Sequence, residues 1–349
     1  MPRPTPAVVA VGLLLAFPAF AADSSADSPS ASAGTCTAWS TAGQLQESPD
    51  VPAPESSGVA ASTLEPGLYY THNDAGNAAE LYLFDEDGTY RYTQVITNAT
   101  NTDWEDIAAA PCPDALGGIT NPCIYIGDIG DNLSNRAGIT LWVVPESTDM
   151  LADAVACPLV FEDGARDAES LLVSADGTVR VVSKEGDGQA KIYKVDALSC
   201  GSAPDTLKRE AQVQLDGPAT GGFMSDDPAH NVAIIRTHTS AFVWEDCAPV
   251  GASTWLSTPA KYDLGNDPKG EGVTLTPAGD MLTTSEGTAV DRQGLLFRLT
   301  SCSAHGTPKC AGCGCESVPE AGGAGLAVVV GGLVFARRRR DSSRPPRGI

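Results

Sequence analysis

Three glutamates recur at one place in short β-rich segments. Glu105, Glu169 and Glu271 open the strings Glu105-Asp106-Ile107-Ala108, Glu169-Ser170-Leu171-Leu172 and Glu271-Gly272-Val273-Thr274. Two further strings, Ser57-Gly58-Val59-Ala60 and Gly221-Gly222-Phe223-Met224, fall in the same frame, and the five are spaced by 48, 64, 52 and 50 residues. Carboxylates gathered in a cleft are the groups that bind cations or carry protons. The run that follows each string ends in polar residues, among them His72-Asn73-Asp74, Lys184-Glu185, Arg236 to His238 and Ser285-Glu286. Glu105, Glu169, Glu271, Glu286, Arg236 and His238 are therefore the candidate ligand-binding residues. His72 and Glu271 are the candidate proton carriers. Gly127-Asp128-Ile129-Gly130-Asp131-Asn132 packs three oxygen-bearing side chains into one kinked loop. Asp128, Asp131 and Asn132 are of the kind Ca2+ takes, six to eight oxygens at a time. A cation held there would clamp a phosphate or an acyl oxygen. The plainer alternative is a structural network, because Asp and Asn cap turns.

The elements that must position these residues are strands. From about residue 57 to 300, short β-rich runs alternate with turn signals every 8 to 12 residues, and no amphipathic helix of useful length interrupts them. Each repeat string is followed by a turn and two or three more strands. Four-stranded units at this period are the pattern of β-propeller blades. The expected fold is thus an all-β propeller over residues 35–305, of five blades, with six as the alternative. A β-sandwich would give no reason for an aligned repeat. The interval of 64 residues contains a Pro- and Gly-rich insert between Ala108 and Ile124. The fifth unit shows only three strands before Cys302, and Thr35 to Leu45 upstream can supply the fourth and close the ring. In such a ring the first strand of each blade starts on the face where the second ends. The polar segments therefore converge on one mouth of the axial channel, and plain turns such as Ala175-Asp176-Gly177 face the other way.

Ten cysteines and only four histidines favour disulfides over metal ligation in an exported chain. Cys112 and Cys123 flank the insert and can meet across a hairpin. Cys36 and Cys302 lie where a bridge would staple the ring shut. Cys157, Cys200 and Cys247 have no evident partner. Cys310, Cys313 and Cys315 imitate half of a zinc site, with no second half nearby.

Both ends read as targeting segments. Residues 1–22 combine Arg3, an apolar run from Ala7 to Phe17 and Ala19-Phe20-Ala21, the pattern of a signal peptide. Residues 23–34 read as a disordered spacer, residues 306–320 as a Cys-rich linker, and residues 321–349 as a hydrophobic tail carrying Arg337 to Arg340. The tail's apolar run, Ala321 to Ala336, is marginal in length for a transmembrane helix. Cys313-Gly314-Cys315, the apolar run and the arginines resemble the MYXO-CTERM sorting tail of bacterial surface proteins. That resemblance implies a processing protease as partner, contact with the membrane or envelope, and display at the cell surface. The ends hold seven of the 22 basic residues, so the body is more acidic than the net −22 of the whole chain. A body of that charge does not neutralise nucleic-acid phosphates.

Ser57 to Ser62, His72-Asn73-Asp74, Asp103 to Ala108 and the Gly127 to Asn132 loop together resemble a family of uncharacterised secreted bacterial propellers. The resemblance implies the fold and the mouth and brings no settled activity. Asp226-Asp227-Pro228-Ala229 matches a β-propeller phytase signature, but it falls on the turn face, where Asp-Pro is ordinary turn chemistry. No phosphate-cradling Gly-rich loop with a following Lys occurs, so no nucleotide cofactor is expected, and there is no Gly-x-Ser-x-Gly elbow. The expectation is an anchored ligand-binding or scaffold propeller with a Ca2+-binding mouth. The alternative is a metal-dependent phosphoester or carboxylic ester hydrolase, and the sequence leaves open whether the protein is an enzyme.

Overall fold

The computed structural model describes residues 51–287 apart from positions 118, 120, 228, 229, 247, 266, 268 and 278, with strands at 39–47 and 295–301 and a short strand pair at 309–310 and 315–316. Signal peptide, spacer, sorting tail, Cys36, Cys247 and Cys302 lie outside the described residues. No helix among the described residues is long and apolar enough to cross a membrane.

The described strands sort into four-stranded antiparallel groups. The first holds β2 (Ser56–Ala61), β3 (Leu68–Asn73), β4 (Glu80–Asp85) and β5 (Tyr90–Thr97). The second holds β6 (Trp104–Pro111), β7 (Pro122–Asp128), β8 (Ile139–Pro145) and β10 (Val155–Phe161). The third holds β11 (Ala168–Val173), β12 (Val179–Ser183), β13 (Gln189–Val195) and β14 (Asp205–Gln214). The fourth holds β15 (Gly221–Asp227), β16 (His230–Arg236), β17 (Ser240–Asp246) and β18 (Ala260–Asp263). The last holds β19 (Gly270–Leu275), β20 (Met281–Ser285) and β21 (Leu295–Ser301), and is completed by β1 (Trp39–Glu47), which pairs antiparallel with β21. The N-terminal closing strand is therefore present. β2 touches β6, β6 touches β11, β11 touches β15, β15 touches β19 and β19 returns to β2, so the first strands surround one axis. This is the β-propeller arrangement.

Apolar runs explain why the sheets stack. Leu171 and Val181 face the second group, and their neighbours Leu172 and Val182 face the fourth. Period-2 alternation puts an apolar side chain on both faces of such a strand, which therefore reads as a continuous apolar run. A hydrophobic cluster fills each seam between neighbouring groups, including the one where Leu282 of β20 meets Val59, Tyr69 and Phe84 of the first group. The first three groups are also tied at their outer edges. After β8 the chain adds β9 (Leu151–Asp153) parallel to β5, then returns as β10, which pairs with both β8 and β14. Cys157 on β10 is bonded to Cys200 beyond β13, an assignment the spacing did not offer. Cys112 and Cys123 pair across the β6–β7 hairpin as expected.

On the axis, the second residues of the repeat strings are Gly58, Asp106, Ser170, Gly222 and Gly272. A Cβ on Gly58 would lie 2.9 Å from the Asp106 Cα, and one on Gly272 would lie 2.6 Å from the Val59 nitrogen. Only glycine allows the strands to approach this closely. Small residues leave room for one carboxylate. Asp106 is fully buried, and its Oδ2 accepts the backbone N–H groups of Leu171 at 2.7 Å and Gly222 at 2.9 Å, while Oδ1 accepts that of Ile107 at 2.9 Å. One side chain thus joins the first strands of three groups. Asp106→Ala would leave buried N–H groups unpaired, at a cost of about 3–5 kcal/mol by the usual penalty per orphaned donor. Urea denaturation of wild type and variant measures it, and a loss below about 1 kcal/mol would show that the carboxylate is not the tie described.

Candidate metal centre at the acidic mouth

The first residues of the repeat strings lie one step along the axis from Asp106. Glu105, Glu169 and Glu271 are all buried there, and the Ser57 hydroxyl donates to Glu105 Oε2 at 3.2 Å. The second strands β3, β7, β12, β16 and β20 end paired with the starts of the first strands, as the repeat implies. One oxygen each of Asp74, Asp103 and Glu105 come together within 4.8 Å of one another. Glu169 Oε1 accepts the Lys184 ammonium, whereas its Oε2 is buried with no hydrogen-bond partner.

Local structure holds the carboxylates in place. Asn101 donates through Nδ2 to the carbonyls of Asn73 (2.9 Å) and Asp74 (2.8 Å) and accepts the Trp104 N–H, which ties the Asp74 loop to the Asp103 turn. Asp128 accepts the N–H groups of Thr102 and Asp103 and an Arg136 guanidinium at 2.8 Å. Asp131 accepts the N–H groups of Asn135 and Arg136, and Asn132 is exposed. Asp128, Asp131 and Asn132, expected as ligands themselves, are thus not the oxygens that converge. Two of them spend their oxygens on backbone and Arg136, and so shape the loop that seats Asp103. Gly130 in that loop is indispensable for space: a Cβ there would lie 2.2 Å from Glu105 Oε1 and 2.6 Å from Asp103 Oδ2.

The other expected residues divide. Glu271 faces the mouth, with His238 Nδ1 at 3.8 Å from its Oε1. Glu286 sits at the rim, paired with Lys269 at 2.6 Å. Arg236 is wholly buried and donates to the carbonyls of Thr237, His238, Gly272 and Thr284 and to Asp267, so it anchors neighbouring strands and offers no donor to a ligand. His72 is also wholly buried, edge-on to Trp104, and burial pushes its pKa down to about 4. It does not reach the mouth as a proton carrier. Asp74, Asp103 and Lys184 also stand at this mouth, although the sequence did not single them out as candidates. Asp74 and Lys184 stood inside polar segments already noted, and Asp103 stood beside Glu105.

So many carboxylates cannot all stay charged. Burial and the neighbouring Glu169, Asp74 and Asp103 hold Glu105 well above the usual carboxylate range, and burial with Glu169 does the same for Glu271. Burial raises Glu169 to about 8 although Lys184 opposes the shift, and burial with Asp74 raises Asp103 to about 6. Burial would lower Lys184, but the carboxylates of Glu169, Glu105 and Glu271 outweigh it and raise it. Mutual repulsion of this kind is relieved by protons or by a bound cation.

No protein-family model matches the chain, and no curated protein sequence does. Among solved structures the chain is similar to the major Malassezia sympodialis allergen Mala s 1, at 10% identity over 73% of this chain and 96% of that one, with a TM-score of 0.48. It is also similar to the PQQ-bound aldose sugar dehydrogenase of Streptomyces coelicolor, at 10% identity over 76% of this chain and 100% of that one, with a TM-score of 0.43. Likenesses of this size assign neither ligand nor activity.

Raised carboxylate pKa values have a defined consequence for stability. The folded state holds protons that the unfolded state has released, so stability is full below about pH 4 as far as these groups are concerned and is lost as pH rises towards about 8, the value for Glu169. In a chelator-treated protein the melting temperature should fall over that interval, and Glu169→Gln should flatten the fall. A melting temperature that rises from pH 5 to pH 8 in both proteins would contradict it.

Proposed function

We propose that the chain is a five-bladed, ligand-binding propeller whose acidic mouth holds one divalent cation, Ca2+ by preference, on Asp74, Asp103 and Glu105. The observation that carries this reading is the convergence of those three oxygens within 4.8 Å, beside a buried Glu169 oxygen that has no partner. The donors are oxygen only, which suits Ca2+ and not Zn2+. Three carboxylates leave a six- to eight-coordinate ion with positions to spare. Those positions are open to water or to an anionic group of the ligand, which the ion would bridge to an otherwise repulsive mouth. Ester hydrolysis has less support, because of the two expected proton carriers His72 is sealed beneath the mouth and Glu271 alone faces it. Export and surface anchoring, read from residues 1–22 and 313–340, would place the mouth in the calcium of the surroundings.

A calcium titration followed by thermal melting tests the site. Free ion at about a hundred times the Kd adds about 2.7 kcal/mol, so the melting temperature should rise with Ca2+ at pH 8. Binding at pH 5 should be at least tenfold weaker, because protons then occupy the carboxylates. No change in millimolar Ca2+ at pH 8 would remove the reading. Gly130→Ala keeps every carboxylate but pushes on Glu105 and Asp103, and should weaken Ca2+ binding by at least tenfold in the same assay.

A further inference from the structure

The other half of the axis has a different chemistry. Beyond the level of Asp106 and the axial glycines, the ends of β2, β6, β15 and β19 enclose a half-open cavity of about 420 Å³. A side lobe of about 330 Å³ shares Thr63, Ala109, Met224 and Ser225 with it and continues towards Pro111 and Val173. Among the described residues, none that lines either space is ionisable. In a chain with 19% charged residues and a net charge of −22, that is a marked local exception.

The hydroxyls on the wall are largely committed. Ser62 and Thr63 both donate to the buried carboxylate of Glu146, and Thr276 Oγ1 accepts the Asp280 N–H at 3.1 Å. What remains towards the space is mainly apolar, with Val59, Ala60, Ala109, Phe223, Met224 and Leu275 beside the hydroxyl-bearing Ser225 and Thr274. The acidic mouth lends nothing across the axis, because each Asp106 oxygen is already bonded to backbone. A charged group in this cavity would lose its hydration and find no counter-charge in the wall. An uncharged apolar molecule would lose only water, in a space within the usual range of about 300–1,000 Å³ for small-molecule sites.

We infer that the face opposite the acidic mouth carries a second site, for an uncharged and mainly apolar small molecule, seated between the ends of β2, β6, β15 and β19. It is independent of the cation site, so either reading can fail without the other. Binding of Nile red, an uncharged fluorophore, is the test. Wild type should bind it saturably with increased emission, and Ala109→Phe, which fills both lobes at their junction, should weaken binding at least tenfold. Thr63→Trp, at an exposed rim position, should do the same and decides the matter if Ala109→Phe does not fold. Leu133→Ser and Leu256→Ser, which remove side chains of residues 81% and 86% exposed elsewhere, should leave binding unchanged. The anionic probe 1-anilinonaphthalene-8-sulfonate should bind at least tenfold more weakly than Nile red. Absence of saturable Nile red binding, retention of wild-type affinity by Thr63→Trp, or equal affinity for the anionic probe would overturn the assignment.

Discussion

The Asp106 carboxylate is the constraint on which the rest of the molecule turns. First strands in a ring present backbone N–H groups to an axis where no further strand can pair with them. A carboxyl group placed among those groups accepts several at once. Asp106 does this for Ile107, Leu171 and Gly222. It fits only because the equivalent residues of the other strings are Gly58, Ser170, Gly222 and Gly272. The identity of one repeat position therefore sets how closely the strands approach and where the axis is closed.

Closing the axis there fixes the chemistry on either side. One residue before Asp106, the strings place Glu105, Glu169 and Glu271 in a narrow ring where burial and mutual repulsion keep protons on them. One or two residues after it come Val59, Ile107, Ala60 and Met224, and among the described residues none that lines the space they bound is ionisable. Two or three residues along a strand thus separate an acidic mouth from a neutral cavity.

Most of the architecture was legible because it repeats. The five strings, their spacing, the second-strand ends and the N-terminal closing strand all follow from a pattern that returns about every 50 residues, and the β6–β7 disulfide follows from hairpin proximity. What could not be read is what does not repeat. The excursion through β9 and β10, which stitches the first three groups at their rims, occurs once, and it carries Cys157 to Cys200 across a separation of 43 residues. At the mouth, the strings identified Glu105, Glu169 and Glu271, but residue types alone could not tell a ligand from its support. Asp128 and Asp131 have the chemistry of ligands, yet the bonds they make to backbone and Arg136 leave the exposed role to Asp103. Arg236 and His72 lie inside the fold for a related reason: a polar side chain at a strand end can turn inward, as Arg236 does to bond four carbonyls and Asp267.

Lys184 shows how the mouth is balanced. Its ammonium bonds Glu169 and feels Glu105 and Glu271, so one tethered positive charge already offsets part of the acidic ring. A tethered cation loses little translational freedom on binding, which gives it an advantage over an ion from solution. It also acts on Asp74 and Glu105, whose oxygens meet that of Asp103 where Gly130 keeps the space clear. A divalent ion beside Lys184 would complete the neutralisation that protons otherwise supply, and it would expose to the ligand a pair of cations set in a wall of acids. On the proposed reading, such a mouth would attract an anionic group only once the ion is in place.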